Sequence, residues 1–65
     1  MTLTINGDAR ESEAGTVLEF LESMDLPSTM VVVEHNGEIV PRDRFGKRHL
    51  HDGDVLEIVQ MMAGG

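Results

Sequence analysis

The chemistry that this chain can offer is concentrated in its last residues, which close with Gly64-Gly65. Neither glycine has a Cβ, so the pair can lie extended in a channel too narrow for a side chain and present an α-carboxylate as the reactive group. An enzyme that adenylated this carboxylate would turn a poor electrophile into an acyl-adenylate, which a sulfur or amine nucleophile could attack with AMP as the leaving group. Glycine-rich termini that simply fray are also ordinary, so the dipeptide alone leaves both interpretations open.

Composition favours a carrier or an adaptor over an enzyme. Sixty-five residues form one domain with a small core, which leaves little room for a deep catalytic cavity. The absence of cysteine excludes disulfides, thiolate metal sites and a cysteine-based sulfur relay within the protein. No stretch resembles a signal peptide or a membrane-spanning segment, so we expect a cytoplasmic protein that does not bind membranes.

The charge balance predicts the kind of partner. Twelve acidic and five basic side chains give a formal net charge of −7. Such a chain repels the phosphate backbone of nucleic acids, and it attracts a protein with a basic docking surface.

The first half of the chain predicts a hairpin followed by a helix. Residues 1–6 alternate apolar and polar side chains, and Asn6-Gly7 is a tight-turn signal that returns the chain as a polar strand over residues 8–12. Thr16 and Glu19 fit a capping box, in which Glu19 reaches back to the amide of the cap residue. A helix from near Val17 would then turn one apolar stripe to the core and would stop by residue 25 or 26, because Pro27 follows; the stripe consists of Val17, Phe20, Leu21 and Met24.

The second half predicts another hairpin. Residues 30–35 are apolar and β-branched enough for an inner strand, Asn36-Gly37 is a second turn signal, and residues 38–40 form a short strand that Pro41 ends. Val31-Val32-Val33 is a continuous apolar run without a period, so the sequence leaves open which of these side chains face the helix.

A last strand over residues 55–61 leads into the glycine end. If Leu56 and Ile58 pack under the helix, Val59 and Met61 stay exposed on the opposite face. Together with Met62 they form a candidate docking patch beside the terminus. We therefore divide the chain into a domain over residues 1–60 and an extended tail over residues 61–65.

Two further groups of polar residues have ordinary explanations. The first could be arranged around a metal, but a flexible loop would have to create the ligand geometry, and we expect no metal site there; it consists of His49, His51, Asp52 and Asp54. The second is basic and fits a solvated loop anchored by Phe45 better than a phosphate or partner contact; it consists of Arg42, Arg44, Lys47 and Arg48.

The order of elements, hairpin, helix, hairpin, loop and strand, predicts an α+β fold with one main helix packed on one face of a mixed sheet. The layout, residues 36–42, the turn at residues 52–54 and the final Gly64-Gly65 together resemble the ThiS sulfur carriers of thiamin biosynthesis over essentially the whole chain. Val40-Pro41-Arg42 followed by Phe45 is closer to ThiS than to its longer relative MoaD. The resemblance implies a ubiquitin-like β-grasp of four to five strands, with the first and last strands parallel at the centre, and a flexible tail.

The resemblance also implies a role for the tail. Gly65 would be the modified residue, and Gly64 and Ala63 would let it thread into narrow active sites. A ThiF-type enzyme would use ATP and magnesium to form the glycyl-adenylate, and a cysteine desulfurase or a related donor would supply the sulfur of a thiocarboxylate. Thiazole synthase (ThiG) would receive that sulfur. The carrier itself would bind no cofactor, would not be an enzyme, and would be a monomer when free.

One residue departs from the family pattern, and three alternative functions stay open. His35 ends the third strand where the family usually has an apolar residue. The alternatives are a carrier for another pathway such as molybdopterin synthesis, a ubiquitin-like modifier joined to lysine, and a β-grasp interaction module without tail chemistry. The module would remain active without Gly64 and Gly65, whereas either a carrier or a modifier would not.

Overall fold

A computed structural model describes residues 1–61 of the chain. Five strands and one α-helix lie within that range: β1 (Thr2–Ile5), β2 (Asp8–Glu11), α1 (Val17–Ser23), β3 (Val31–His35), β4 (Glu38–Val40) and β5 (Val55–Gln60). Short 3₁₀ turns cover Ser28–Met30 and Arg42–Arg44. Among these residues, no helix is long and apolar enough to cross a membrane.

The five strands form one mixed sheet in the order β2-β1-β5-β3-β4. β1 and β5 run parallel next to each other, as expected, and the other neighbouring strands are antiparallel. Both hairpins turn at Asn-Gly pairs in which all four residues have positive φ: Asn6 (50°), Gly7 (89°), Asn36 (51°) and Gly37 (86°). These angles fit two-residue turns whose twist matches that of the strands.

The core lies between α1 and one face of the sheet. Val17, Phe20 and Leu21 of the helix are buried, and Met24 is partly buried against them, as the apolar stripe predicted. The sheet contributes Leu3, Val31, Val33, Val40, Leu56 and Ile58. The structure thus settles the ambiguous valine run: Val31 and Val33 face the helix, and Val32 faces away.

The helix begins at Val17 as predicted, but one bond of the capping box differs. The Glu19 amide donates to Thr16 Oγ1 at 3.2 Å, whereas the Glu19 carboxylate accepts from the amide of Gly15 at 2.9 Å and not from that of Thr16. The first two helical amides donate instead to the loop that follows β4, Val17 to Arg48 O and Leu18 to Phe45 O, both at 3.0 Å. Carbonyl groups of this loop therefore accept hydrogen bonds from helical amides that have no partner within the helix.

The helix ends at Ser23, whereas the sequence predicted from Pro27 that it would stop by residue 25 or 26. Asp25 adopts positive φ (56°), its amide donates to Glu22 O at 3.1 Å, and the amide of Leu26 donates to Leu21 O at 2.9 Å. This pair of bonds is a Schellman motif, which closes a helix by satisfying its last carbonyls. The proline follows the motif and does not itself end the helix.

Candidate functional site

β5 carries the chain along the middle of the sheet towards its C-terminal end. It pairs with β1 on one side and β3 on the other, where Gln60 lies opposite Val31. The pairing extends one residue beyond the strand, because the amide of Met61 donates to Met30 O at 2.7 Å. The remaining predicted site residues, Met62, Ala63, Gly64 and Gly65, lie outside the described residues.

Side chains in β5 alternate between the core and the opposite face of the sheet, here called the outer face. Leu56 and Ile58 are buried, while Val59 is 61% exposed and Met61 43% exposed. The alternation predicted from the sequence is confirmed for these four residues. The two described members of the candidate docking patch therefore lie on the outer face, at the end of the sheet where β5 finishes.

Two apolar residues that sequence reasoning missed extend this surface. Val32 lies directly opposite Val59 across the β3–β5 pair and is 38% exposed. Ile39 of β4 lies opposite Glu34 of β3 and is 62% exposed. The exposure of Ile39 could have been predicted from the hairpin register around Asn36-Gly37. The exposure of Val32 could not, because Val32 lies in a continuous apolar run that has no period. The outer face is thus apolar across three strands.

The turn before β5 contains a hydrogen-bond network around Asp54. Its Oδ2 accepts from His35 Nε2 at 2.6 Å and from the amide of His51 at 2.8 Å, and its Oδ1 accepts from Asn36 Nδ2 at 3.1 Å. Burial raises the pKa of Asp54, but the hydrogen bonds from His35, Asn36 and the His51 amide outweigh it and bring the pKa to about 2. Asp54 is therefore ionised at neutral pH and fixes the start of β5.

His35, which the sequence resemblance marked as unusual, makes its hydrogen bonds within this network. It is buried, and its Nδ1 accepts from Arg48 Nε at 2.8 Å. A ring nitrogen that accepts carries no proton, so the contacts assign the proton of the neutral ring to Nε2, which donates to Asp54. Arg48 also contacts the Glu38 carboxylate, and this hydrogen bond and charge lower the pKa of Glu38. The histidine thus has a structural explanation.

The metal candidates do not converge on a site within residues 1–61. No group of three or more potential ligands is found there. The His51 side chain is 78% exposed, and its Nδ1 lies 3.9 Å from an Asp54 oxygen that already accepts two hydrogen bonds.

The basic loop is held to the domain by some of its own members. Arg42 donates to Ser28 O at 3.1 Å and to Thr29 O at 3.2 Å, and Phe45 is buried, which confirms it as the anchor. Arg44 and Lys47, together with Arg48 and Pro41, line an open groove of about 320 Å³. Two of the four basic residues therefore have structural contacts and two face solvent.

Comparison with known proteins agrees with this architecture. The model of the ThiS family matches residues 3–65. The chain belongs to the ThiS family. It is 38% identical to the sulfur carrier protein ThiS of Bacillus subtilis, with 97% of this chain and 98% of that protein covered.

A solved ThiS structure confirms the fold. The crystal structure of the thiamine biosynthesis protein ThiS from Geobacter metallireducens superposes with a TM-score of 0.84 at 33% identity, and all of both chains is covered. The expected ubiquitin-like β-grasp, a mixed five-stranded sheet with one helix on one face, is therefore confirmed.

A second kind of relative contains a ThiS-like segment within a longer protein. The whole chain matches a thiazole synthase of Paramagnetospirillum magneticum at 41% identity, but it spans only 20% of that protein's length. In this relative, a ThiS-like segment and further sequence belong to one polypeptide.

Proposed function

We propose that the protein is a sulfur carrier of thiamin biosynthesis and that the α-carboxylate of Gly65 carries the sulfur. The observation that carries the proposal is the course of β5, which runs along an exposed apolar face towards a glycine pair that the ThiS family match includes. A sulfur carrier named as such covers almost the same length. The chain would be a protein substrate of other enzymes and not a catalyst.

The reaction follows from the chemistry of a carboxylate. In a ThiF-type enzyme, an oxygen of the Gly65 carboxylate attacks the α-phosphorus of magnesium-bound ATP, and pyrophosphate leaves. A persulfide from a cysteine desulfurase or a related donor then attacks the acyl carbon, and AMP leaves. A thiol cleaves the resulting acyl disulfide to release the thiocarboxylate. Without a Cβ, Gly64 leaves space for the narrow approach that both active sites require, and Ala63 is the next smallest residue.

We further propose that thiazole synthase is the acceptor. The thiazole synthase of P. magneticum supports this, since one polypeptide contains a segment similar to this whole chain. When a carrier and its acceptor are joined in one polypeptide, the effective concentration of the carrier at the acceptor's active site rises. The outer face of the sheet would contact each partner while the tail enters its active site.

Adenylation and intact mass test the proposal directly. The purified chain is incubated with the ThiF-type enzyme of its own genome, ATP and magnesium, and pyrophosphate exchange is measured; addition of the sulfur donor and a thiol should exchange one oxygen for sulfur. One alanine added after Gly65 should abolish both signals, because it displaces the reactive carboxylate. The matched control carries the same alanine before Met1 and should react normally. Adenylation of the C-terminally extended variant at the normal rate would overturn the proposal.

A further inference from the structure

The outer face of the sheet has an unusual charge pattern. Its charged side chains are of one sign only: on this face the five strands carry Glu11, Glu34 and Glu57 and no lysine or arginine. Arg10, the one lysine or arginine in any of the five strands, lies opposite the buried Leu3 and belongs to the helix side. The outer face is therefore apolar and acidic.

Two of these glutamates lie directly opposite each other. Glu34 of β3 pairs with Glu57 of β5 in the antiparallel register, and the next pair outward on the same face is Val32 with Val59. Like charges directly opposite in a sheet destabilise it. Within residues 1–61, neither carboxylate has a cation within 4.0 Å, whereas Glu11 lies 3.9 Å from the N-terminal amine. The glutamate pair therefore stands without a counter-charge in the middle of an apolar surface.

We propose that the enzyme which activates the terminus docks on the outer face and places an arginine between Glu34 and Glu57. This inference rests on the proposed function. A guanidinium presents several N–H donors in a planar fork, and it is less strongly hydrated than an ammonium, so it can bridge two carboxylates at a desolvated site. Val32, Val59 and Ile39 would surround the bridge and exclude water from it, as the rim of a binding hot spot does.

Continuity with the tail supports, as the occupant, an enzyme that acts on the terminus, and we commit to the one that activates it. Glu57 precedes Gly65 by eight residues, and an extended chain advances about 3.3 Å per residue, so the terminus can lie no more than about 26 Å away. An enzyme that holds the terminus in its active site therefore has the outer face within reach of its own surface. The formal charge of −7 would steer a basic surface towards it.

The test uses conservative variants of the two glutamates. Glu34→Gln, Glu57→Gln and the double variant keep side-chain size and remove charge. The Kd for the ThiF-type enzyme is measured without ATP by titration calorimetry at low and at physiological salt. We expect each single variant to bind at least 10-fold more weakly. The fold increase in Kd of the double variant should be smaller than the product of the fold increases of the two single variants, because one cation contacts both carboxylates.

The matched control is Glu22→Gln on the exposed side of α1, which makes the same charge change away from the outer face and should leave the Kd unchanged. The thermal midpoints of the glutamate variants should equal or exceed that of the wild type, since repulsion is relieved, and this separates weak binding from unfolding. Wild-type affinity in both single variants would overturn the inference, as would an equal loss in Glu22→Gln. If the wild-type chain is not adenylated at all, the proposed function fails; if it is adenylated and the variants bind normally, only the arginine bridge fails.

Discussion

At the scale of single residues, the carboxylate of Asp54 accepts three hydrogen bonds from two parts of the chain. It joins the end of β3, through His35 and Asn36, to the turn that starts β5. These partners are 19 and 18 residues away in sequence, so no local pattern could have paired them. The sequence predicted only a turn at residues 52–54, and the structure adds that Asp54 of this turn holds the His35 ring in place.

Asp54→Asn should destabilise the protein at neutral pH by about 1–3 kcal/mol. An amide has one acceptor atom, whereas Asp54 accepts at both oxygens, so the NH₂ group of asparagine must face a donor. The free energy of unfolding from urea titrations measures the difference. Asp52→Asn is the control: it removes an exposed charge from the same turn and keeps an acceptor oxygen for the amide of Thr2.

The stabilisation by Asp54 should depend on pH in one direction. Its folded pKa, about 2, lies below the ordinary value of 3.8, so the stabilisation is complete above about pH 4 and is lost as the pH falls towards 2. The difference in unfolding free energy between wild type and Asp54→Asn should therefore shrink between pH 4 and pH 2. A constant difference across that range would contradict the assignment.

At the scale of elements, the two turn asparagines also support β5. The side chain of Asn6 accepts from Ile58 N at 2.7 Å and donates to Ile58 O at 3.1 Å, and that of Asn36 accepts from Val55 N at 2.8 Å. The sequence identified both residues as turn formers from their Asn-Gly spacing. Their second role needs β5 to lie between the hairpins, which is a property of the sheet order.

Asn6→Gly separates the two roles of this residue. Glycine adopts the positive φ of the turn readily but loses both hydrogen bonds to Ile58, so we expect a loss of about 1–3 kcal/mol in the free energy of unfolding. Asn6→Asp keeps an acceptor for Ile58 N but places a carboxylate oxygen against Ile58 O, so it should also be less stable than the wild type. A glycine variant as stable as the wild type would show that asparagine matters only for the turn.

At the scale of the whole molecule, the sheet has one face for folding and one for partners. Val59→Asp on the outer face should change the free energy of unfolding by no more than about 1 kcal/mol, because the side chain is 61% exposed. It should weaken binding to the ThiF-type enzyme at least ~10-fold, since a charge would enter an apolar contact.

Ala9→Asp is the matched control for Val59→Asp. It adds the same charge at an exposed position of the outer face, on the edge strand β2, away from β5. Equal affinity of the two variants would show that the surface around Val59 has no special role. Binding by Val59→Asp at the wild-type Kd would remove the docking patch from the proposal.

The sequence by itself determined the elements, because each depends on neighbours along the chain: the Asn-Gly turns, the start of the helix at Val17, and the alternation of Leu56 and Ile58 with Val59 and Met61. The tertiary structure decided what depends on residues far apart in the chain. It oriented Val32, placed Glu34 opposite Glu57, and brought His35 to Asp54 and Arg48, since strand order and register bring these residues together only when the sheet forms. The local periodicity of the sequence contains no information about such long-range pairs. In this protein they include the buried His35 at the end of β3 and the glutamate pair on the surface proposed for partners.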